Sequence, residues 1–392
     1  MTKKLFWENV YDTTFTAEVI SVYEDGIILD QTLFYPESGN QASDTGYLKI
    51  KENNFKVEKV TKEGENILHH ISSDFKYKIN IGDKVEGEID WNYRYGLMKA
   101  HTSQHIFSAV IKNMYNIDTV RAILNFEEVF LQISQDLDYE QLKKVLTEVN
   151  KICTIKNLKV GTKIIPHKQA EKISKKIRSA IPDESQVRLI EVEDLDMVCC
   201  GGTHVINTTE IGNIFIYEFK KGTEIRYVVG DKAVEMSSNI DLDLLALANS
   251  INSPVAKLKI LLKKRLDLIE NIQEQQKDLS IKLLEAISKS PLKIIDNLSL
   301  FYIDFNVDIK ILNKSLENFP SNSLIIVKFE GNKLRLMSLN EQIDCNRLIQ
   351  KLIQKYGGKG GGNPKSSQGF LEEMPENIIS EIEMLILSNR NK

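Results

Sequence analysis

Two short stretches of the sequence carry side chains that could hold a metal ion. His101 and His105 lie in H-T-S-Q-H, and Cys200 and His204 lie in C-G-G-T-H, each pair four positions apart. Zinc binds imidazole nitrogen and thiolate sulfur together in protein sites. The chain has six His and four Cys, so the grouping of these residues in two pairs predicts a metal site.

The two pairs are predicted to lie in different local structures. Residues 91–116 show a helical period of apolar side chains, which places both histidines of the first pair on one helix face. Gly201 and Gly202, inside the second pair, favour a tight loop over a regular helix. About a hundred residues separate the pairs, so spacing alone leaves open whether they meet or are incidental. Cys199 is a competing ligand by proximity.

The composition is that of an ordinary globular protein. The chain has 392 residues, 42% hydrophobic and 27% charged, with a formal net charge of −4. Any nucleic-acid binding must therefore come from local basic patches. The N-terminus lacks the apolar core of a signal peptide, and no apolar run of about 18 residues predicts a membrane span. We expect a cytoplasmic protein without disulfides.

The elements that must position the two pairs predict an α+β multidomain chain. Residues 1–90 alternate short strands with turn-rich stretches, which is typical of a small β-barrel. Residues 91–235 form an α+β domain containing both pairs, 236–290 a helical linker, and 291–392 a C-terminal α/β domain. Further predicted elements of the second region are helices at 139–152 and 168–178 and strands at 187–192, 211–217 and 224–229.

A long helix is predicted within the linker. Residues 255–286 place apolar side chains at eight of ten positions of a coiled-coil seam. This seam either packs on a domain of its own chain or joins two copies. A homodimer through the linker helix or the C-terminal domain is the corresponding partner prediction.

The C-terminal region carries a glycine-rich stretch. A hairpin around Gly331–Asn332 and a helix over 344–356 precede G-G-K-G-G-G-N-P at 357–364. We predict a loop there. It is not a P-loop, because Lys359 is followed by glycine and not by Ser or Thr.

Five motifs, in one order, resemble a known family. The two metal-site motifs closely resemble the editing domain of alanyl-tRNA synthetases and of their free-standing relatives, the AlaX proteins; threonyl-tRNA synthetases share this domain. T-L-F-Y-P-E-S-G-N-Q at 32–41 is similar to the family's T-x-F-Y-P-E-G-G-G-Q, and D-W-N-Y-R-Y-G-L-M-K-A-H at 90–101 is similar to its approach to the first histidine pair. The stretch at 357–364 resembles the motif of the DHH-associated C-terminal domain. Because the predicted barrel begins within the first dozen residues, we expect no aminoacylation domain before it, and the resemblance is then to long-form AlaX proteins.

The resemblance implies an activity and a cofactor. The activity is hydrolysis, in trans and without aminoacylation, of mischarged tRNA(Ala), chiefly seryl- and also glycyl-tRNA(Ala). The cofactor is one Zn²⁺, held by His101, His105, Cys200 and His204. Whether zinc activates water or only positions the substrate stays open, because four protein ligands close a tetrahedral shell.

The resemblance also implies roles for further residues. Thr32 matches the threonine that senses the serine hydroxyl, and Gln41 matches a glutamine near the reacting centre. Gly201, Gly202 and Thr203 are predicted to line the substrate site. Asp90 and Arg94 are expected to cap or brace the first metal-binding helix. Residues predicted to contact tRNA phosphates are Lys359, Gly360, Gly361, Gly362 and Lys365; the alternative there is a flexible surface loop.

One departure from the family pattern bears on Gln41. Ser38 and Asn40 stand where the family has glycine, so the loop that carries Gln41 could differ. Two other functions are alternatives. One is a zinc-stapled tRNA-binding module without catalysis. The other, a phosphoesterase, is disfavoured because the chain has no Asp-His-His motif.

Overall fold

The computed structural model describes residues 1–71 and 79–390, and it confirms the α+β multidomain class. The chain divides into two compact units, Met1–Ile251 and Asn252–Lys392. The predicted division into four domains is finer and stays a prediction. All four cysteines are free. Within the described ranges, no helix is both long and apolar enough to cross a membrane.

A closed six-stranded antiparallel barrel forms the N-terminal part of the first unit, as predicted. Its strands follow the order β2-β3-β7-β6-β5-β8, while β1 and β4 pair in parallel beside it. Alternating side chains such as Leu48, Val57 and Val85 fill the interior. The strands are β1 (Lys3–Lys4), β2 (Thr14–Val22), β3 (Gly26–Leu29), β4 (Gln31–Thr32), β5 (Gly46–Ile50), β6 (Asn53–Glu63), β7 (Asn66–Ile71) and β8 (Lys84–Ile89).

The long helix α1 (Trp91–Tyr115) follows the barrel directly, as the helical period predicts. It begins at Asp90, whose carboxylate accepts the backbone N–H of Tyr93 at 3.1 Å. It ends at Asn116, which has the left-handed conformation (φ 56°) common at helix C-termini. The expected capping role of Asp90 is thereby confirmed.

The rest of the first unit surrounds α1 with two antiparallel sheets. A four-stranded sheet has the order β14-β15-β10-β9, and a three-stranded sheet has the order β11-β12-β13. The elements are β9 (Thr119–Asn125), β10 (Glu128–Ile133), α2 (Tyr139–Lys151), β11 (Val160–Pro166), α3 (His167–Lys172), β12 (Gln186–Val192), β13 (Asp196–Cys199), β14 (Phe215–Lys220), β15 (Glu224–Val228) and α4 (Gly230–Ser250).

Two predicted elements of this region are wrong in extent. The helix predicted over 168–178 ends at Lys172, because the Arg178 N–H bonds to the Met197 carbonyl and its guanidinium pairs with Asp196 at 2.7 Å. The strand predicted from residue 211 begins only at Phe215. A 3₁₀ turn and Gly212, with φ 72°, occupy the preceding positions.

The second unit is built on one six-stranded mixed sheet. Its order is β16-β17-β18-β19-β21-β20, with β17 and β18 parallel. The predicted hairpin is β18–β19 and the helix predicted at 344–356 is α7. The elements are α5 (Leu258–Ser288), β16 (Lys293–Ile295), β17 (Leu298–Ile303), α6 (Ile309–Ser315), β18 (Ser323–Phe329), β19 (Lys333–Ser338), α7 (Cys345–Tyr356), β20 (Gly358–Gly362), β21 (Ser366–Leu371) and α8 (Ile378–Arg390).

The glycine-rich stretch is an edge strand, not the predicted loop. Its glycines allow close pairing with β21, since a Cβ on Gly360 would lie 2.4 Å from the Gln368 carbonyl oxygen. Lys359 and Lys365 are exposed. Binding of tRNA phosphates by this strand stays a prediction.

The predicted linker helix is confirmed as α5. Three of its seam side chains, Leu262, Ile269 and Leu279, are 47%, 50% and 67% exposed, whereas Leu258 is buried. The homodimer remains a prediction.

Candidate metal centre

The two predicted pairs meet. The histidine pair comes from α1, and Cys200 and His204 come from the loop after β13, so that their ligand atoms all lie within 4.8 Å of one another. The Cys200 Sγ lies 3.4 Å from the Nε2 atoms of both His101 and His204. Cys199 is not in this cluster; it packs beside Ala170 and Leu189, as expected for a packing residue.

The donor set fits a zinc ion. A tetrahedral ion with Zn–S bonds of about 2.3 Å and Zn–N bonds of about 2.1 Å separates sulfur from nitrogen by about 3.5 Å, close to the two sulfur–nitrogen distances. The His105 Nδ1 is buried and has no hydrogen-bond partner in the described part of the chain. An imidazole with an orphaned nitrogen is out of place in a closed core, but it suits a ring that ligates a metal.

Two of the imidazoles are held in a defined orientation. The His101 Nδ1–H donates to Gln41 Oε1 at 2.8 Å, which leaves its Nε2 facing the cluster. The His204 Nδ1–H donates to Thr102 Oγ1 at 3.1 Å, with the same consequence for its Nε2. Such outer hydrogen bonds fix the tautomer and orient the ring of a ligating histidine.

Gln41 reaches this site from the barrel side. Its Oε1 also accepts the Thr203 N–H at 3.2 Å, and its Nε2 donates to Thr203 Oγ1 at 2.9 Å. The Ser38 and Gln41 backbones close the preceding turn with two reciprocal hydrogen bonds. Asn40 has φ 66°, the left-handed region that Asn tolerates better than most residues. The turn with Ser38 and Asn40 in place of the family's glycines therefore still directs Gln41 toward the cluster.

Burial keeps the three imidazoles of the cluster neutral, which is the form that binds metals. Desolvation, followed by the positive charge of Arg188, lowers the pKa of His101 to about 3. Desolvation also holds the pKa values of His105 and His204 well below the ordinary value. Burial raises the pKa of the Cys200 thiol, while the Gly202 N–H and the Arg188 charge act in the opposite direction.

Arg188 and Trp7 shape the loop that carries Cys200 and His204, and neither is predicted from the sequence. The Arg188 guanidinium donates to the Cys200 and Gly202 carbonyls, each at 2.8 Å. The Trp7 Nε1–H donates to the Gly201 carbonyl at 2.8 Å. In the sequence, Arg188 is marked by being a single charged residue within the apolar run V-R-L-I. No local pattern marks Trp7.

Arg94 braces α1 against the barrel, as expected. Its guanidinium forms a fully buried bidentate pair with Asp44 and donates to the Leu33 carbonyl at 2.6 Å. The Asp44 carboxylate also accepts a hydrogen bond from the Tyr35 N–H. This pair joins the segment that carries Thr32 and Gln41 to the helix that carries the histidine pair.

Thr32 lies in the barrel and bonds away from the metal cluster. Its Oγ1 is 2.8 Å from His69 Nε2 and accepts the Phe34 N–H at 3.1 Å. In the part of the chain that the structure describes, no hydrogen bond joins Thr32 to the four cluster residues. His69 is therefore a barrel residue whose imidazole contacts Thr32 and the Ile27 carbonyl.

Removing one ligand should release the metal. We expect His105→Ala to retain less than about a tenth of one bound zinc per chain after dialysis, because it removes one of the four donors of a closed tetrahedral shell. Zinc content by atomic emission is the measurement. His167→Ala is the matched control, since the His167 side chain contacts the Pro182 carbonyl and Glu171 and lies outside the cluster. Equal zinc content in both variants would rule out His105 as a ligand.

Two family models match the chain. The model described as tRNA synthetases class II (A) matches residues 3–93. The model described as the threonyl and alanyl tRNA synthetase second additional domain matches residues 187–229, which include Cys200 and His204.

Curated relatives extend the similarity over nearly the whole chain. The alanyl-tRNA editing protein AlaX-L of Pyrococcus horikoshii is 28% identical over 398 residues, covering 97% of both chains. Alanine–tRNA ligases of Sulfurisphaera tokodaii and Ignicoccus hospitalis are 29% and 27% identical over 92% of this chain. The chain spans only 41% and 40% of those two ligases. The resemblance carried by the motifs is confirmed: the chain is related along nearly its entire length to the alanyl-tRNA editing protein AlaX-L.

Proposed function

We propose that this chain is a zinc-dependent hydrolase that deacylates mischarged tRNA(Ala) in trans, chiefly seryl- and also glycyl-tRNA(Ala). The observation that carries the proposal is the four-residue donor set with Gln41 hydrogen-bonded to one of its ligands. The similarity to a protein named for alanyl-tRNA editing supports the substrate class.

The reaction is hydrolysis of the ester between an amino acid and the terminal ribose. Zinc, when bound, supplies a Lewis acid that can polarise an oxygen or anchor the substrate's amino group. Gln41 uses one Nε2 hydrogen for Thr203, which leaves the second for a bound carbonyl or water. The Arg188 guanidinium is fixed by its hydrogen bonds to the Cys200 and Gly202 carbonyls. Its positive charge favours the negative charge that develops on the substrate carbonyl oxygen during hydrolysis near this loop.

Thr32 is proposed to sense the serine hydroxyl as an acceptor. The His69 Nδ1 lies 3.3 Å from the Ile27 carbonyl, so its Nε2 accepts the Thr32 proton. Burial lowers the pKa of His69 to about 4, so this ring is neutral near pH 7. The Thr32 Oγ1 also accepts the Phe34 N–H, which leaves it one free lone pair. This lone pair can accept a hydrogen bond from the hydroxyl of serine, and alanine has no hydroxyl to donate one.

Thr32→Val should therefore lower kcat/KM for seryl-tRNA(Ala) by about 5- to 10-fold, the effect of one neutral hydrogen bond. The rate for glycyl-tRNA(Ala), which has no hydroxyl, should change little. Thr61→Val is the matched control, because Thr61 forms the same kind of bond with His70 in the same barrel. An equal loss for both substrates would contradict the sensing role.

A substrate panel tests the proposal. Purified, zinc-loaded protein should release serine from seryl-tRNA(Ala) and spare alanyl-tRNA(Ala). The alternative, a zinc-stapled binding module without catalysis, predicts no release from any substrate while chelation unfolds the chain. In that case Gln41→Ala would leave tRNA binding unchanged. Activity that Gln41→Ala reduces would favour the enzyme.

A further inference from the structure

A groove of about 780 Å³ leads to the metal cluster in the first unit. Its lining includes Lys4, Trp7 and Lys62 from the N-terminal part of the unit and Arg188, Cys200 and Gly201 from the region around the cluster loop. Of the four metal-binding residues only Cys200 lines it, while the three histidines are buried. Trp7 lines the groove next to Cys200, because its Nε1–H bonds to the Gly201 carbonyl.

The groove carries an excess of unpaired positive charge. Lys4, Lys62 and Arg188 have no carboxylate within ion-pairing distance in residues 1–71 and 79–390. Two carboxylates, Glu65 and Glu184, also line the groove. Burial, followed by the nearby Lys62, lowers the pKa of Lys4, while the charges of Glu65 and Glu184 act in the opposite direction. Unpaired, partly desolvated cations of this kind are suited to an anionic ligand.

Trp7 presents an aromatic face among these cations. The Lys4 ammonium lies 4.5 Å from a ring centroid of Trp7, and the Arg188 guanidinium lies 5.6 Å from a ring centroid of the same residue. The hydrogen bond from Nε1 to the Gly201 carbonyl fixes the ring beside the metal-binding loop. Lys4 sits on a flexible side chain, so a planar ligand can displace it from the ring face toward a phosphate.

An aromatic platform within a cationic groove is how proteins hold single-stranded nucleic acid. We infer that this groove binds the 3′-terminal nucleotides of the tRNA, with a base stacked on Trp7 and backbone phosphates at Lys4 and Lys62. This inference rests on the proposed deacylase function, because it places the terminal ribose ester beside Cys200. The volume accommodates one or two nucleotides and lies within the usual range of ligand sites.

Direct binding tests the groove independently of catalysis. The chain has two tryptophans, so Trp91→Phe leaves Trp7 as the sole indole fluorophore. In zinc-loaded Trp91→Phe protein, the 5′-phosphorylated trinucleotide CCA should quench the emission saturably, and more weakly as salt rises. Lys4→Gln with Lys62→Gln should weaken this binding by at least about 10-fold. Lys49→Gln, an exposed barrel lysine outside the groove, should leave it unchanged.

Deacylation kinetics give the second readout. Trp7→Ala should raise KM for seryl-tRNA(Ala) at least about 10-fold by loss of base stacking, with a smaller effect on kcat. Trp7→Phe keeps a stacking ring and should restore most of the affinity, although it lacks the bond to Gly201. Zinc content, measured in parallel, separates loss of stacking from loss of metal.

Failure of this inference differs from failure of the proposed function. If the native chain hydrolyses seryl-tRNA(Ala), but CCA does not quench Trp7 and Trp7→Ala leaves KM unchanged, the groove is not the nucleotide site. If the native chain hydrolyses no aminoacyl-tRNA, the proposed function fails, and the trinucleotide titration alone decides whether the groove binds nucleotides.

Discussion

Gly202→Ala should abolish zinc binding while leaving the barrel folded. A Cβ at this position would lie 2.2 Å from His101 Cε1, 2.4 Å from its Nδ1 and 2.8 Å from Gln41 Oε1. The ring cannot yield without losing its hydrogen bond to Gln41 and its direction toward the other ligands. Loss of one such outer partner costs metal affinity about 10- to 100-fold, and displacement of the ligand itself should cost more.

Gly201→Ala is the matched control for this prediction. The nearest atom to its added Cβ is Trp7 Cζ2, at 3.9 Å, which is an ordinary van der Waals contact. Zinc affinity, measured by competition with a chelator, should therefore stay near the native value. Similar losses in both variants would show that the loop merely tolerates no side chains, and native affinity in Gly202→Ala would contradict the described site.

Asp44→Asn should lower the free energy of unfolding by about 3–5 kcal/mol, because it leaves the buried Arg94 charge uncompensated. Asp44 and Arg94 are each 0% exposed, so solvent cannot replace the lost carboxylate. Asparagine can still accept the Tyr35 N–H, which isolates the effect of charge. The midpoint of urea-induced unfolding, compared at equal slope, measures the difference.

An exposed ion pair provides the comparison. Glu86→Gln removes a carboxylate that bonds Lys49 at 3.3 Å, with side chains 71% and 58% exposed. Pairs of this kind contribute about 0–1 kcal/mol. If Asp44→Asn shifts the urea midpoint no more than Glu86→Gln does, the pair is not what braces α1 against the barrel.

The metal ligands were predictable because their signals are local. The histidine pair lies on one helix face, and the glycines within C-G-G-T-H predict a loop, so each half could be recognised alone. The barrel was predictable for a similar reason, since alternation and turn residues recur through residues 1–90. The meeting of the two residue pairs in one site is shown by the tertiary structure or implied by the family resemblance, because no local pattern predicts it.

The supporting contacts were not predictable from spacing. Gln41 bonds to His101 and Thr203, residues distant in sequence, and neither bond has a local signature. The truncation of α3 has the same origin, because Arg178 is drawn to Asp196 by tertiary contacts. The glycine-rich strand shows the opposite case: glycine suggested a loop, whereas close strand pairing required it.

We propose that the four-residue cluster holds a zinc ion needed for hydrolysis of mischarged tRNA(Ala). The most direct test is serine release from seryl-tRNA(Ala) by one preparation in three states: as purified with zinc, after chelation, and after return of one equivalent of zinc. We predict release in the first and third states, none above background in the second, and no alanine release from alanyl-tRNA(Ala) in any. Equal serine release with and without zinc, or none from the fully loaded protein, would contradict the claim.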